Sequence, residues 1–154
     1  MSQTHKQDDC IFCQILAGKA PAAIVTDDGP IVAFMDIFPL RPGHVLIIPR
    51  EHHQYVHELD SFTRGKLMDT ATDIAMAMRK IHPPGTDINW MINDGKAAWQ
   101  HVPHVHLHLI PRNGRDNLRL TGNIVTRFLR KPNMAHFEAQ AQELQRVLDP
   151  APKR

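Results

Sequence analysis

The sequence predicts an α+β domain built on an antiparallel sheet of about five strands. Three observations carry this reading. Short runs of β-forming apolar residues recur along the chain, most of them are joined by brief turn sequences, and helical periodicity is confined to segments before, between and after them. A doubly wound parallel sheet needs a crossover helix between most strands, and the spacing does not supply one.

Residues 10–17 read as a short helix, with Asp8 or Asp9 available as its cap and Gly18 as its stop. Ile11, Phe12, Ile15 and Leu16 give it an apolar side. Strands follow at 23–26, 30–36 and 44–49, separated by the turn sequences Asp28-Gly29 and Arg41-Pro42-Gly43. Over 61–81, Leu67, Ala71, Ile74, Ala75 and Met78 recur at the three-and-four spacing of one helical face. Pro83-Pro84-Gly85 ends that helix. Residues 88–93 return as a strand, Asn93-Asp94-Gly95 turns the chain, and 104–109 form the last strand. The stretch 113–132 has little periodicity and reads as loop. Asn133 then caps a final helix with Phe137, Ala141, Leu144 and Leu148 on one face. The expected organisation is a flexible leader over 1–9, a domain over 10–112, and a C-terminal loop and helix over 113–154 that pack on the same domain.

At 154 residues the chain fits one such domain. A formal charge of +2 gives no whole-molecule attraction to nucleic acid or to a membrane surface. No apolar run reaches the length of a membrane span, and residues 1–9 lack the apolar core of a signal peptide, so a cytoplasmic location is expected. Cys10-x-x-Cys13 in that setting favours metal or redox chemistry over a structural disulfide. The positive charge is uneven: Arg112, Arg115, Arg119, Arg127, Arg130 and Lys131 crowd one stretch in which Asp116 is the only acid. Such a cluster can attract a phosphate-bearing ligand, although a solvated loop is the commoner meaning.

The run His104-Val105-His106-Leu107-His108-Leu109 is the most informative segment. In an extended strand it places three imidazoles on one face and three apolar side chains on the other. Alternate residues on a strand lie roughly 6.5–7 Å apart, which lets two imidazoles share a metal ion or lets all three surround one phosphate. A neutral imidazole is a good nucleophile toward phosphorus near pH 7. Taken by themselves, these residues leave both readings open.

The run resembles the His-x-His-x-His-x-x signature of the histidine triad family of nucleotide hydrolases and transferases. Phe34-Met35-Asp36-Ile37-Phe38-Pro39-Leu40-Arg41-Pro42-Gly43-His44 is similar to that family's nucleoside-binding segment, and Cys10-Ile11-Phe12-Cys13-Gln14-Ile15 to its first helix. Asn93 and Gln100 fall at fitting distances before the triad. The resemblance covers 10–112 in order. It implies the family's fold and cleavage at the α-phosphate of a purine nucleotide such as AMP or an AMP conjugate. His106 would be the nucleophile that forms a nucleotidyl-histidine. His108 would assist the leaving group, and His44 would orient the imidazoles. Asp36 would accept from the ribose hydroxyls, while Ile11, Phe12, Ile15, Phe34 and Ile37 would line the slot for the base. Asn93, Gln100, His101 and Val102 would bound the phosphate. The chemical step would need no added cofactor.

The resemblance also implies a structural Zn2+ held by Cys10, Cys13, His52 and His104, a closed set of two thiolates and two imidazoles. A homodimer joined across a two-fold is implied as well. Two positions depart from the family's usual pattern: Trp99 stands where glycine is common, and His101 where serine or threonine is common. Both bear on the leaving group, so the choice of substrate stays open. Two rival functions remain beside this one. One is a metal-dependent hydrolase with an ion on His104, His106 and His108; the other is a nucleotide-binding regulatory module with little turnover.

Overall fold

Five strands form one sheet, β1 (Ile24–Asp28), β2 (Ile31–Met35), β3 (Val45–Pro49), β4 (Asp87–Ile92) and β5 (Leu107–Arg112), in the order β1-β2-β3-β5-β4. Every pairing is antiparallel, as the sequence predicts. Among the described residues, the helices α1 (Ile11–Leu16), α2 (Ser61–Ile81) and α3 (Met134–Leu148) accompany the sheet. The computed structural model describes residues 9–81, 86–114, 116, 122–124 and 126–149, so nearly all of the expected leader and Pro83-Pro84-Gly85 lie outside the described residues.

β2 and β3 are buried at every position because both faces of the sheet are covered. On one face Ile31, Ala33, Met35, Val45, Ile47, Leu107 and Leu109 meet Leu67, Ala71, Ile74, Ala75 and Met78 of α2 and Phe137, Ala141 and Leu144 of α3. Each large aliphatic side chain buried there contributes about 1.5–3 kcal/mol. On the other face Val32, Phe34, Leu46 and Ile48 pack with Cys10 and Phe12 from the start of the chain. That second, smaller layer carries the candidate site.

The helix ends follow local chemistry. Asp60 caps α2, its Oδ1 accepting the Thr63 N–H at 2.7 Å. Asn133 caps α3 as expected, accepting the His136 N–H at 3.3 Å. At α1 the expectation of an aspartate cap fails: Cys10 is the N-cap residue and makes no side-chain cap bond, and Asp8 lies outside the described residues. Gly18 stops α1 as expected. With φ +69°, it lets the Gly18 and Lys19 N–H groups bond back to the Ile15 and Gln14 carbonyls at 3.0 and 2.8 Å.

Two expectations about the chain's course are corrected. The histidine strand begins at Leu107, not at His104. The Val105 N–H donates to the His53 carbonyl at 2.7 Å, which draws this part of the segment toward residues 52–53 and out of the ladder with β3. The stretch 113–132 is not all loop: residues 122–124 and 126 are helical and Arg127–Leu129 forms a 3-10 turn. Asp116 is buried there and accepts from Arg112 and from the Asn113 N–H, with Arg41 Nε at 3.1 Å.

Candidate active site

The three triad histidines are not equivalent. His104 Nε2 lies 2.8 Å from the Pro49 carbonyl oxygen. A carbonyl only accepts, so that nitrogen carries the proton and Nδ1 presents a lone pair. Nδ1 faces Cys10 Sγ and Cys13 Sγ, each at 3.6 Å, and His52 Nδ1 lies 3.2 Å from Cys13 Sγ. The four donor atoms fall within 4.8 Å of one another, which is the spacing and chemistry of a tetrahedral zinc set. All four residues expected to hold a metal are thus brought together.

His106 turns the other way. Its Nδ1 donates to the His104 carbonyl at 2.7 Å, which fixes the tautomer and leaves Nε2 unprotonated. Burial pushes the proton affinity of this ring below that of an ordinary histidine, so the lone pair is available at neutral pH. The ring stands edge-on to Phe12 at 5.3 Å and to His108 at 4.8 Å between centroids.

His108, on β5, is wired to the fully buried His44. His44 Nε2 and His108 Nδ1 are 2.9 Å apart, and the Leu40 N–H donates to His44 Nδ1 at 3.2 Å. The Leu40 bond requires Nδ1 of His44 to be bare, so its proton sits on Nε2 and is donated to His108. The proton of His108 is thereby placed on its own Nε2, which is buried and has no hydrogen-bond partner among the described residues. Both rings have strongly depressed proton affinities, chiefly through burial. Asp36 is buried beside them, with Oδ1 accepting the Phe38 N–H at 2.8 Å and Oδ2 3.3 Å from His44 Nδ1. Burial raises its carboxyl above the usual carboxylate range.

The triad does not converge on one ion. The metal-capable donors divide, among the described residues, into Cys10, Cys13, His52 and His104 on one side and Asp36, His44 and His108 on the other, with His106 in neither set.

Phe12, Ile15, Phe34 and Val102 share one apolar cluster, and Phe12 packs edge-on against Phe34 with ring centres 5.5 Å apart. Ile11 is 42% exposed, and Ile37 packs against the larger core. Asn93 donates to the Trp99 carbonyl at 3.2 Å. Gln100 accepts from the Gly95 N–H and donates to the Gln54 carbonyl, so its amide holds the 93–100 loop to Gln54. Trp99 adopts φ +67° and ψ +29°, the left-handed conformation natural to glycine, and its indole is 68% exposed. His101 is exposed and packs edge-on against Phe128 with ring centres 6.1 Å apart.

Sequence reasoning named Arg127 only as one of a basic cluster, without assigning it to the site, and missed Phe128. Arg127 Nη1 lies 3.9 Å from Asp36 Oδ2 and 3.5 Å from the Phe38 carbonyl oxygen, and Phe128 packs on Phe38. The crowding of basic residues over 112–131 was the available signal.

A histidine with a fixed tautomer and a bare Nε2, a hydrogen-bonded histidine pair and a separate cysteine-histidine cluster make up the candidate site. Residues 17–115 match the HIT domain model, and the chain belongs to that family. It is 38% identical over 111 residues to Protein hit of Bacillus subtilis, covering 72% of this chain and 76% of that protein. It is 35% identical over 105 residues to adenosine 5'-monophosphoramidase hnt1 of Schizosaccharomyces pombe, covering 67% and 74%. Among solved structures, a zinc-bound histidine triad family protein from Mycobacterium smegmatis aligns with TM-score 0.74 at 34% identity, covering 92% of this chain and 94% of that one.

Proposed function

We propose that this protein hydrolyses AMP-type conjugates through a nucleotidyl-histidine on His106. The observation that carries the reading is the 2.7 Å bond from His106 Nδ1 to the His104 carbonyl, which aims an unprotonated Nε2 away from the backbone. Nε2 attacks the α-phosphorus, and the bond from phosphorus to the leaving nitrogen or oxygen breaks with its electron pair. The leaving group takes a proton from water as it departs, hydrogen-bonded to Nε2–H of His108. The positive charge that develops on the His106 ring is stabilised by the His104 carbonyl. Water then attacks phosphorus, the bond from phosphorus to Nε2 breaks, and AMP leaves with release of a proton. Asp36 accepts from the ribose hydroxyls, and Phe12, Ile15, Phe34 and Val102 receive the base. The relative in Schizosaccharomyces pombe, an adenosine 5'-monophosphoramidase, supports this substrate class.

The same reading gives the cysteine-histidine cluster a structural Zn2+ that ties α1 to the catalytic segment, supported by the donor spacing and by the zinc-bound relative. It gives the chain a homodimeric state in the cytoplasm. β4 is one of the two edge strands of the sheet, and its Trp90 is 38% and Met91 36% exposed, while Phe62 and Met68 of α2 are 63% and 47% exposed. Apolar groups on an unpaired edge favour a covering partner.

Intact-mass measurement after mixing with adenosine 5'-phosphoramidate tests the chemistry. A transient nucleotidyl adduct in the wild type, absent in His106→Asn, is the expected result. Turnover that survives His106→Asn without an adduct overturns it.

A further inference from the structure

A nucleotide phosphate brings negative charge to a site where burial disfavours the protonated forms of His44 and His108 and Asp36 adds no positive charge. Arg127 is a cation whose charge reaches all three of these residues.

Its surroundings are unusual for a structural arginine. The side chain is only 14% exposed, yet its contacts to Asp36 and to the Phe38 carbonyl are long, at 3.9 and 3.5 Å. Nε is buried and has no hydrogen-bond partner among the described residues. A guanidinium offers five donors, and leaving one dry and unpaired is unfavourable until a ligand completes it. The group is nevertheless held in place. It lies 4.6 Å from the centre of the Phe128 ring, that ring packs on Phe38, and Asn123 Nδ2 donates to the Leu40 carbonyl at 2.7 Å. The C-terminal segment is thereby fastened to the turn that carries Asp36 and His44.

We propose that Arg127 binds the nucleotide's phosphate, placing its unused N–H donors on the oxygens of the phosphorus that His106 attacks. The guanidinium then opposes the charge that grows on those oxygens, in a geometry that suits two parallel hydrogen bonds. This rests on the nucleotide reading above. The opposing view is that Arg127 only steadies Asp36.

Calorimetric titration of the full chain with AMP and with adenosine separates them. In Arg127→Ala the ratio of AMP to adenosine affinity is expected to fall about 10- to 100-fold, the range of a lost charge-assisted pair. Arg127→Lys should restore part of that ratio, because it keeps the charge and loses the fork. The kcat/KM for adenosine 5'-phosphoramidate should fall in parallel. Where Arg127→Ala is too unstable to titrate, Arg127→Gln gives the same reading. Equal loss of AMP and adenosine affinity, or an unchanged ratio, overturns the proposal. So does wild-type protein that binds AMP and adenosine equally, a result that leaves the nucleoside site standing. Wild-type protein that binds neither overturns the nucleotide reading itself.

Discussion

The Nδ1–H of His106 bonds to the main-chain carbonyl of His104 at 2.7 Å, two residues back along the same segment. His104 therefore serves His106 through its backbone and the cysteines through its ring. A side-chain substitution removes only the second service. His104→Ala is expected to lose bound zinc and to lower the melting temperature by about 5 °C or more, as a metal-linked stability is withdrawn. The nucleotidyl adduct should still form on its folded fraction. Metal analysis, melting and intact mass of one preparation check all three.

His44 has no exposed surface and bridges the Leu40 N–H to His108. His44→Phe leaves that N–H and His108 Nδ1 unpaired in a dry environment. The expected loss is about 1–3 kcal/mol of stability, read by denaturant unfolding. With His108 free to turn or to change tautomer, turnover should drop about tenfold or more.

Acid should unfold the protein through the same pair. Burial lowers His44 and His108 from the ordinary value of 6.5 to about 3. Between those values the unfolded chain binds protons that the folded chain refuses. Their contribution is therefore fully present above pH 6.5 and is lost as pH falls toward 3, by at most about 1.4 kcal/mol per pH unit for each ring. Unfolding free energy measured across that interval should decline more steeply for the wild type than for His44→Phe.

Trp99→Gly should be nearly neutral for stability despite removing the largest residue type. The left-handed backbone at φ +67° is strained for tryptophan and free for glycine, while glycine adds disorder to the unfolded chain. These effects offset to within about 1 kcal/mol, or a few degrees in melting temperature.

Much of this was legible because it depends on local chemistry. The helix at 61–81 is found at the predicted residues, since its apolar stripe is continuous and Asp60 caps it. Cys10, Cys13, His52 and His104 meet as the motif implied. What failed was long-range. A hydrogen bond to His53 decides that His104–His106 leave the strand, and nothing in their own alternation records it. The position of Arg127 depends on Asn123 finding the Leu40 carbonyl across 83 residues, and a basic stretch without periodicity gives no hint of that. Asn93 and Gln100 belong to the motif, but their side-chain amides tie the 93–100 loop, to the Trp99 carbonyl and to the Gly95 N–H and Gln54 carbonyl.

β2 and β3 are apolar on both faces, so their hydrophobic pattern cannot tell one alignment from another shifted by a residue. The imidazoles can. His108 lies opposite Leu46 and reaches His44, while its neighbour Leu109 lies opposite Val45 and enters the helix-covered core. A slip of one position would drive His108 into that core with no partner and turn Leu109 toward the histidines. β5 is thus kept in register by its own polar residue, and the polar pairing at the candidate site doubles as proofreading for the sheet.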